Sequence, residues 1–251
     1  MAAKLVIANW KMNPASLADA QALLSRIDEW YEGLAERREP ALVVCPPFVF
    51  IEEVGAMLRR GHLEHIAELG AQDIAAIDEG AQTGEVSGAQ LERLGVRYCL
   101  VGHSDRRWKL GEDDATVNAK LHRALEHGLM PVVCLGERTR GTGWQDELRR
   151  QADATFSGLR GQAHRAIVAY EPVWAISTKP DARPDSPEGA GESIAIIRSI
   201  LGRDMPCLYG GSVTAQNAAG FLSREEISGV LVGGASLRPE EFVRILEASI
   251  R

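Results

Sequence analysis

The amino-acid sequence predicts an α/β protein, a (β/α)8 barrel forming a single domain over residues 1–251. Three observations carry that prediction. Short apolar runs alternate with amphipathic helical patterns along the chain, with no compositional break that would mark a linker. A length of 251 residues is the usual size of one such barrel. The first strand–helix junction reads Asn9-Trp10-Lys11-Met12-Asn13, where a doubly wound dinucleotide-binding sheet would carry a glycine-rich turn.

The candidate strands are residues 5–8, 41–45, 66–71, 98–101, 131–135, 166–170, 206–209 and 229–232. Several are near-continuously apolar, as expected of parallel strands covered on both faces. Leu17, Ala20, Leu24, Ile27, Tyr31 and Leu34 recur at helical spacing, and Ser16 and Asp19 stand where a capping box would start that helix. Val117, Leu121, Ala124 and Leu125 mark another helix, and Ile194, Ile197, Ile200 and Leu201 a third. The last helix opens at Pro239, a residue tolerated in the first turn, and buries Phe242, Ile245 and Leu246.

Composition narrows the partners. A net charge of −7 offers no broad basic face, so nucleic acid is not expected, although a local cluster of backbone N–H groups can still hold one small anion. Cys45, Cys99, Cys134 and Cys207 are scattered and form no C-x-x-C pair, which excludes a metal-ligand spacing and makes a disulfide framework unexpected. Three of them lie in apolar runs, where buried free thiols are common. The N-terminal residues read neither as a signal peptide nor as a membrane span, so a cytoplasmic protein without a membrane partner is expected.

The chemistry-bearing residues follow the strands, and in a barrel those positions share the C-terminal rim. Asn9, Lys11 and Asn13 follow the first strand, and His103-Ser104-Asp105 the fourth. Glu171 follows the sixth, Gly210-Gly211-Ser212 the seventh, and Gly233-Gly234-Ala235-Ser236 the eighth. Taken singly, each has a bland explanation: a solvated lysine, a histidine near a helix start, a half-exposed carboxylate, two ordinary turns. Together on one rim they point to chemistry. A carboxylate can take a proton from carbon beside a carbonyl. An imidazole at a helix N-terminus can stay neutral and donate to the carbonyl oxygen. Lys11 can stabilise charge developing on that oxygen. Successive glycine-rich turns after the last two strands suit a phosphate. Nothing in this set requires a metal or an organic cofactor.

These segments resemble the triosephosphate isomerase family. Asn9-Trp10-Lys11-Met12-Asn13, Gly102-His103-Ser104, Tyr170-Glu171-Pro172-Val173-Trp174-Ala175-Ile176, Tyr209-Gly210-Gly211-Ser212-Val213 and Leu231-Val232-Gly233-Gly234-Ala235-Ser236-Leu237 carry the likeness. Gly70-Ala71-Gln72, Thr83-Gly84-Glu85-Val86-Ser87 and Cys134-Leu135-Gly136-Glu137 extend it over the whole chain, in the family's order. The family is itself a standard example of barrel acid–base chemistry and loop closure. The resemblance implies a TIM barrel and interconversion of glyceraldehyde 3-phosphate and dihydroxyacetone phosphate, a step of glycolysis and gluconeogenesis. It further implies Glu171 as general base, His103 as neutral electrophile and Lys11 as the catalytic cation. Asn9 would line the small phosphorylated sugar, and Ser177, Ser212, Gly233 and Gly234 would offer backbone N–H groups to its phosphate. Thr83-Gly84-Glu85 matches a loop inserted into a partner subunit, implying a homodimer.

Two departures bear on the substrate. Where the family has a lid reading Gly-Thr-Gly-Lys-Thr-Ala, residues 177–185 read Ser-Thr-Lys-Pro-Asp-Ala-Arg-Pro-Asp, a longer segment whose prolines are expected to stiffen its C-terminal end. Asp105 stands where the family has Glu, one methylene longer, so its contact with Lys11 is expected to be stretched or rearranged. An altered lid leaves open an isomerase of a four-carbon ketose phosphate with the same mechanism. A non-catalytic phosphate-binding barrel would need the glycine turns but no carbon base.

Overall fold

The computed structural model describes residues 4–34, 41–78, 80–176 and 184–250. Among them, eight parallel strands close into a barrel in sequence order: β1 (Leu5–Asn9), β2 (Ala41–Cys45), β3 (Ala67–Ala71), β4 (Tyr98–Val101), β5 (Met130–Leu135), β6 (Ile167–Tyr170), β7 (Cys207–Tyr209) and β8 (Gly229–Val232). Each strand pairs with its sequence neighbours, and β1 closes the ring onto β8 with Leu5 beside Gly229. The expected bounds shift by one residue in places. Asn9 extends β1 because it pairs with Cys45 of β2. Pro206, without an N–H, contributes only its carbonyl, which accepts from Val168 at 2.9 Å, and β7 begins after it.

The described helices are α1 (Leu17–Glu32), α2 (Ile51–Leu58), α3 (Gly88–Arg93), α4 (Ser104–Lys109), α5 (Asp114–Glu126), α6 (Trp144–Thr155), α7 (Pro187–Leu201), α8 (Ala218–Leu222) and α9 (Pro239–Ser249). Their starts follow local chemistry. The side chains of Ser16, Asp113 and Ser186 accept from the N–H three residues on, and Ser87 with Gln90 forms a full capping box. Helix α1 stops at Glu32, so Leu34 packs on the core from beyond its end.

Strand side chains alternate between two environments. Val6, Ala8, Leu42 and Val44 join helix residues such as Leu24, Ile27, Phe242 and Ile245 in one core. Residues of the other parity, including Ile7, Val43, Leu100, Val132 and Leu208, form a second cluster that fills the barrel. All four cysteines are buried and free, and burial pushes each thiol pKa up. No helix among the described residues is long and apolar enough to cross a membrane. The filled barrel closes its own axis, so polar residues at the carboxyl ends of the strands gather on one rim.

Candidate active site

That rim surrounds a cavity of about 340 Å³. Asn9, Lys11, His103, Glu171, Ser212, Gly233 and Gly234 all line it. Ser177, with the rest of residues 177–183, lies outside the described residues.

Lys11 is presented by a constrained turn. Its φ of 54° is left-handed, a conformation costly for a residue with a Cβ. The turn is held from two sides: the Lys11 N–H donates to Asn9 Oδ1 at 3.0 Å, and Gln72 Nε2 donates to the Lys11 carbonyl at 2.8 Å. Gln72 also donates to the Cys45 carbonyl at 3.0 Å, tying the turn to the end of β2. The Lys11 ammonium donates to Asp105 Oδ2 at 2.7 Å. The shorter carboxylate therefore reaches Lys11 at full hydrogen-bond strength, and the expected stretching does not occur. Its position in the first turn of α4 brings it close enough. Partial burial raises the Asp105 pKa, but hydrogen bonds from Lys109 and Lys11 outweigh that and hold it well below the usual carboxylate range.

His103 caps α4. Gly102 precedes it with φ of 67°, the left-handed step that swings the chain from β4 into the helix. The buried Arg107 fastens this turn by donating from Nε to the Gly102 carbonyl at 2.9 Å and pairing with Asp114 at 2.7 Å. From outside, Arg106 contacts Asp73 at 2.7 Å, and Lys120 contacts Asp73 at 2.6 Å and Glu112 at 2.5 Å. Burial pushes the Asp73 carboxyl up to about 6 despite the Lys120 charge. His103 Nδ1 accepts the Asp105 N–H at 3.1 Å. A ring nitrogen that accepts carries no proton, so the neutral imidazole keeps its N–H on Nε2. Nε2 lies 3.1 Å from Glu171 Oε1, and Glu171 Oε2 accepts the Ser104 N–H at 2.9 Å. Glu171 is only 3 % exposed.

The turns after β7 and β8 present backbone to the same cavity. After β7, Gly210 leaves room for the base: a Cβ there would sit 2.8 Å from Glu171 Cγ. Ser212 donates its hydroxyl to the Ala175 carbonyl at 2.7 Å, joining this turn to the end of the 3-10 turn Val173–Ala175. After β8, the Gly233 carbonyl accepts from the N–H and hydroxyl of Ser236 at 2.9 and 2.7 Å, which shapes the 3-10 turn Gly234–Leu237.

Sequence reasoning gave no role to the residues that brace the chain on both sides of 177–183. Glu137, fully buried, accepts from the Tyr170 hydroxyl and Trp174 Nε1, both at 2.9 Å, and from Arg140 at 3.2 Å. Arg140 stacks on Trp144 at 3.7 Å and donates to Ser193 of α7 at 2.9 Å. Asp185 donates its N–H to the Tyr209 hydroxyl at 3.3 Å. The only signal for Glu137 was its place in a matched segment, because a buried carboxylate and an exposed one look alike in sequence.

Groups able to exchange a proton with carbon and to stabilise charge on oxygen thus meet at the carboxyl end of a closed parallel barrel, which places this protein among the barrel enzymes. Sequence comparison narrows the class. The model for triosephosphate isomerase matches residues 4–249. The chain is 41% identical to the triosephosphate isomerase of Idiomarina loihiensis, over 98% of both chains. It is 39% identical to that of Synechococcus sp. (strain JA-2-3B'a(2-13)), over 96% of this chain and 95% of the relative. It is 40% identical to that of Delftia acidovorans, over 99% of this chain and 100% of the relative. The chain belongs to the triosephosphate isomerase family.

Proposed function

We propose that the protein interconverts D-glyceraldehyde 3-phosphate and dihydroxyacetone phosphate by 1,2-proton transfer through an enediol(ate), as a step of glycolysis and gluconeogenesis. The observation that carries this reading is the meeting of Glu171, neutral His103 and Lys11 in one cavity with two glycine turns. Full-length similarity to proteins named triosephosphate isomerase favours the triose over a four-carbon sugar. A binding protein would have no use for a buried carbon base.

In this reading Glu171 removes a proton from the carbon beside the carbonyl and later returns it to the neighbouring carbon. Both its oxygens are engaged here, by the Ser104 N–H and beside His103. Substrate reaches the base by displacing one of these contacts. Parting from Glu171 also frees the His103 Nε2–H to donate to the substrate oxygen that gains charge. Lys11 adds a positive charge to the same cavity, and the N–H groups of Ser177, Ser212, Gly233 and Gly234 hold the phosphate. Asn9 fixes the Lys11 turn while lining the substrate.

The homodimer implied by the resemblance belongs to the same proposal. Thr83, Gly84 and Glu85 are all exposed, and Met12 and Val49 are 94% and 76% exposed beside the catalytic rim. A second copy would cover such apolar side chains. Sedimentation at micromolar concentration tests this, and a monomer there refutes it.

The decisive experiment is kcat/KM for glyceraldehyde 3-phosphate beside a tetrulose phosphate. A value within about a hundredfold of the diffusional ceiling near 10⁸ M⁻¹s⁻¹ is expected for the triose. A faster four-carbon reaction overturns the substrate assignment.

A further inference from the structure

Asp105 holds two lysines, one per oxygen. Oδ2 accepts from Lys11 at 2.7 Å, and Oδ1 lies 2.6 Å from Lys109 Nζ. Lys109 is the last residue of α4 and reaches back one turn, so the contact is on one level an ordinary i,i+4 helix pair. What sets it apart is that the carboxylate is shared. One negative charge cannot neutralise two ammoniums, so the unit carries one surplus positive charge, and its Lys11 lines the cavity. His103 adds no charge to the unit, because its ring accepts the Asp105 N–H and is neutral.

We propose that Lys109 is a positioning residue for Lys11. By occupying Oδ1 it limits Asp105 to a one-oxygen contact with Lys11, which leaves the remaining donors and much of the charge of Lys11 for the phosphorylated substrate. Without Lys109, Asp105 is free to take Lys11 on both oxygens and draw it away from the cavity. This rests on the reading of Lys11 as the cation that meets the substrate.

The test is steady-state kinetics with glyceraldehyde 3-phosphate, and inhibition by inorganic phosphate, for K109M, K109R, D105N, D105N/K109M and K11M. At low ionic strength K109M raises KM and the phosphate inhibition constant by about two- to fivefold, the range of an exposed ion pair, with a smaller change in kcat. The difference shrinks at about 1 M salt, where the Debye length is roughly 3 Å. K109R restores KM. In the D105N background the K109M substitution moves KM by a smaller factor, because the carboxylate that transmits the effect is gone. A purely structural helix pair would shift thermal stability and leave KM alone. Wild-type KM and inhibition constant in K109M overturn the proposal, and so does an equal factor in both backgrounds. K11M separates the failures. Near wild-type KM there overturns the reading of Lys11 together with the proposal, whereas a loss in K11M beside an unchanged K109M overturns the role of Lys109 alone.

Discussion

The lining of the cavity is made of two different materials. After β1, β3, β4 and β6, long side chains make the contacts: Lys11 with Asp105, His103 with Glu171, Gln72 with the Lys11 carbonyl. After β7 and β8, the chain itself forms the surface through Gly210, Gly211, Gly233 and Gly234. Side chains with several rotatable bonds can absorb a change. Asp105 is the shorter of the two acidic side chains, yet its contact with Lys11 closes at 2.7 Å. Backbone has no such slack. A Cβ at Gly210 would fall 2.8 Å from Glu171 Cγ, and one at Gly211 would fall 2.3 Å from the Tyr209 hydroxyl. The reacting part therefore tolerates redesign of its outer contacts, while the anion-binding part tolerates little added volume near the base.

This contrast can be broken at several points. The largest effect is expected for E171Q, which keeps the shape and removes the base: kcat falls by on the order of 10³- to 10⁴-fold while inorganic phosphate still inhibits. Phosphate inhibition lost in parallel would mean the two parts are not separable. K11M comes next, with kcat/KM reduced by on the order of 10²- to 10³-fold and phosphate binding weakened, in contrast to E171Q. G210A is expected to lower kcat by about 100-fold through displacement of Glu171, with phosphate inhibition preserved. Its counterpart G234A, whose Cβ would meet nothing within 4 Å, should cost at least about tenfold less in kcat than G210A. Equal losses would refute the crowding argument.

The smallest expected effect lies away from the cavity. His127 bridges Asp78 at 2.7 Å and Glu92 at 3.3 Å, and the hydrogen bond with Asp78 raises its pKa above the ordinary 6.5, against the opposing effect of burial and with help from Glu92. A raised value means that the stabilisation is complete below 6.5 and is lost as pH rises through the folded-state value. Thermal melts should show H127Q about 1–2 °C less stable than wild type at pH near 6. By pH near 8 the gap should be smaller. A gap that widens with pH would assign the contact to something other than an ion pair.

Much of this architecture was legible in the sequence. The eight runs stood out because parallel barrel strands are apolar on both faces, and the rim residues because each falls just after such a run. Strand limits were less legible. Pairing across neighbours decides them, as for Asn9 and Cys45, and no local residue records that. Glu137 and Gln72 stayed without a role because their structural partners are largely remote in sequence: Glu137 meets residues of the β6 turn, and Gln72 bridges the ends of β1 and β2. The glycines after β7 were read as freedom for the backbone to approach a phosphate. At Gly210 the structure adds another reason, the volume of the carboxylate next to it.

Lys11 alone among the described non-glycine residues holds a positive φ. A left-handed residue with a Cβ costs about 1 kcal/mol relative to a glycine in the same place. Heat tolerance and turnover therefore pull this position in opposite directions. A laboratory selection that rewarded only survival at high temperature would drift toward Gly or Asn at residue 11, enriching robust proteins without catalytic power. The lysine would persist only in a population that must also make its living from the reaction.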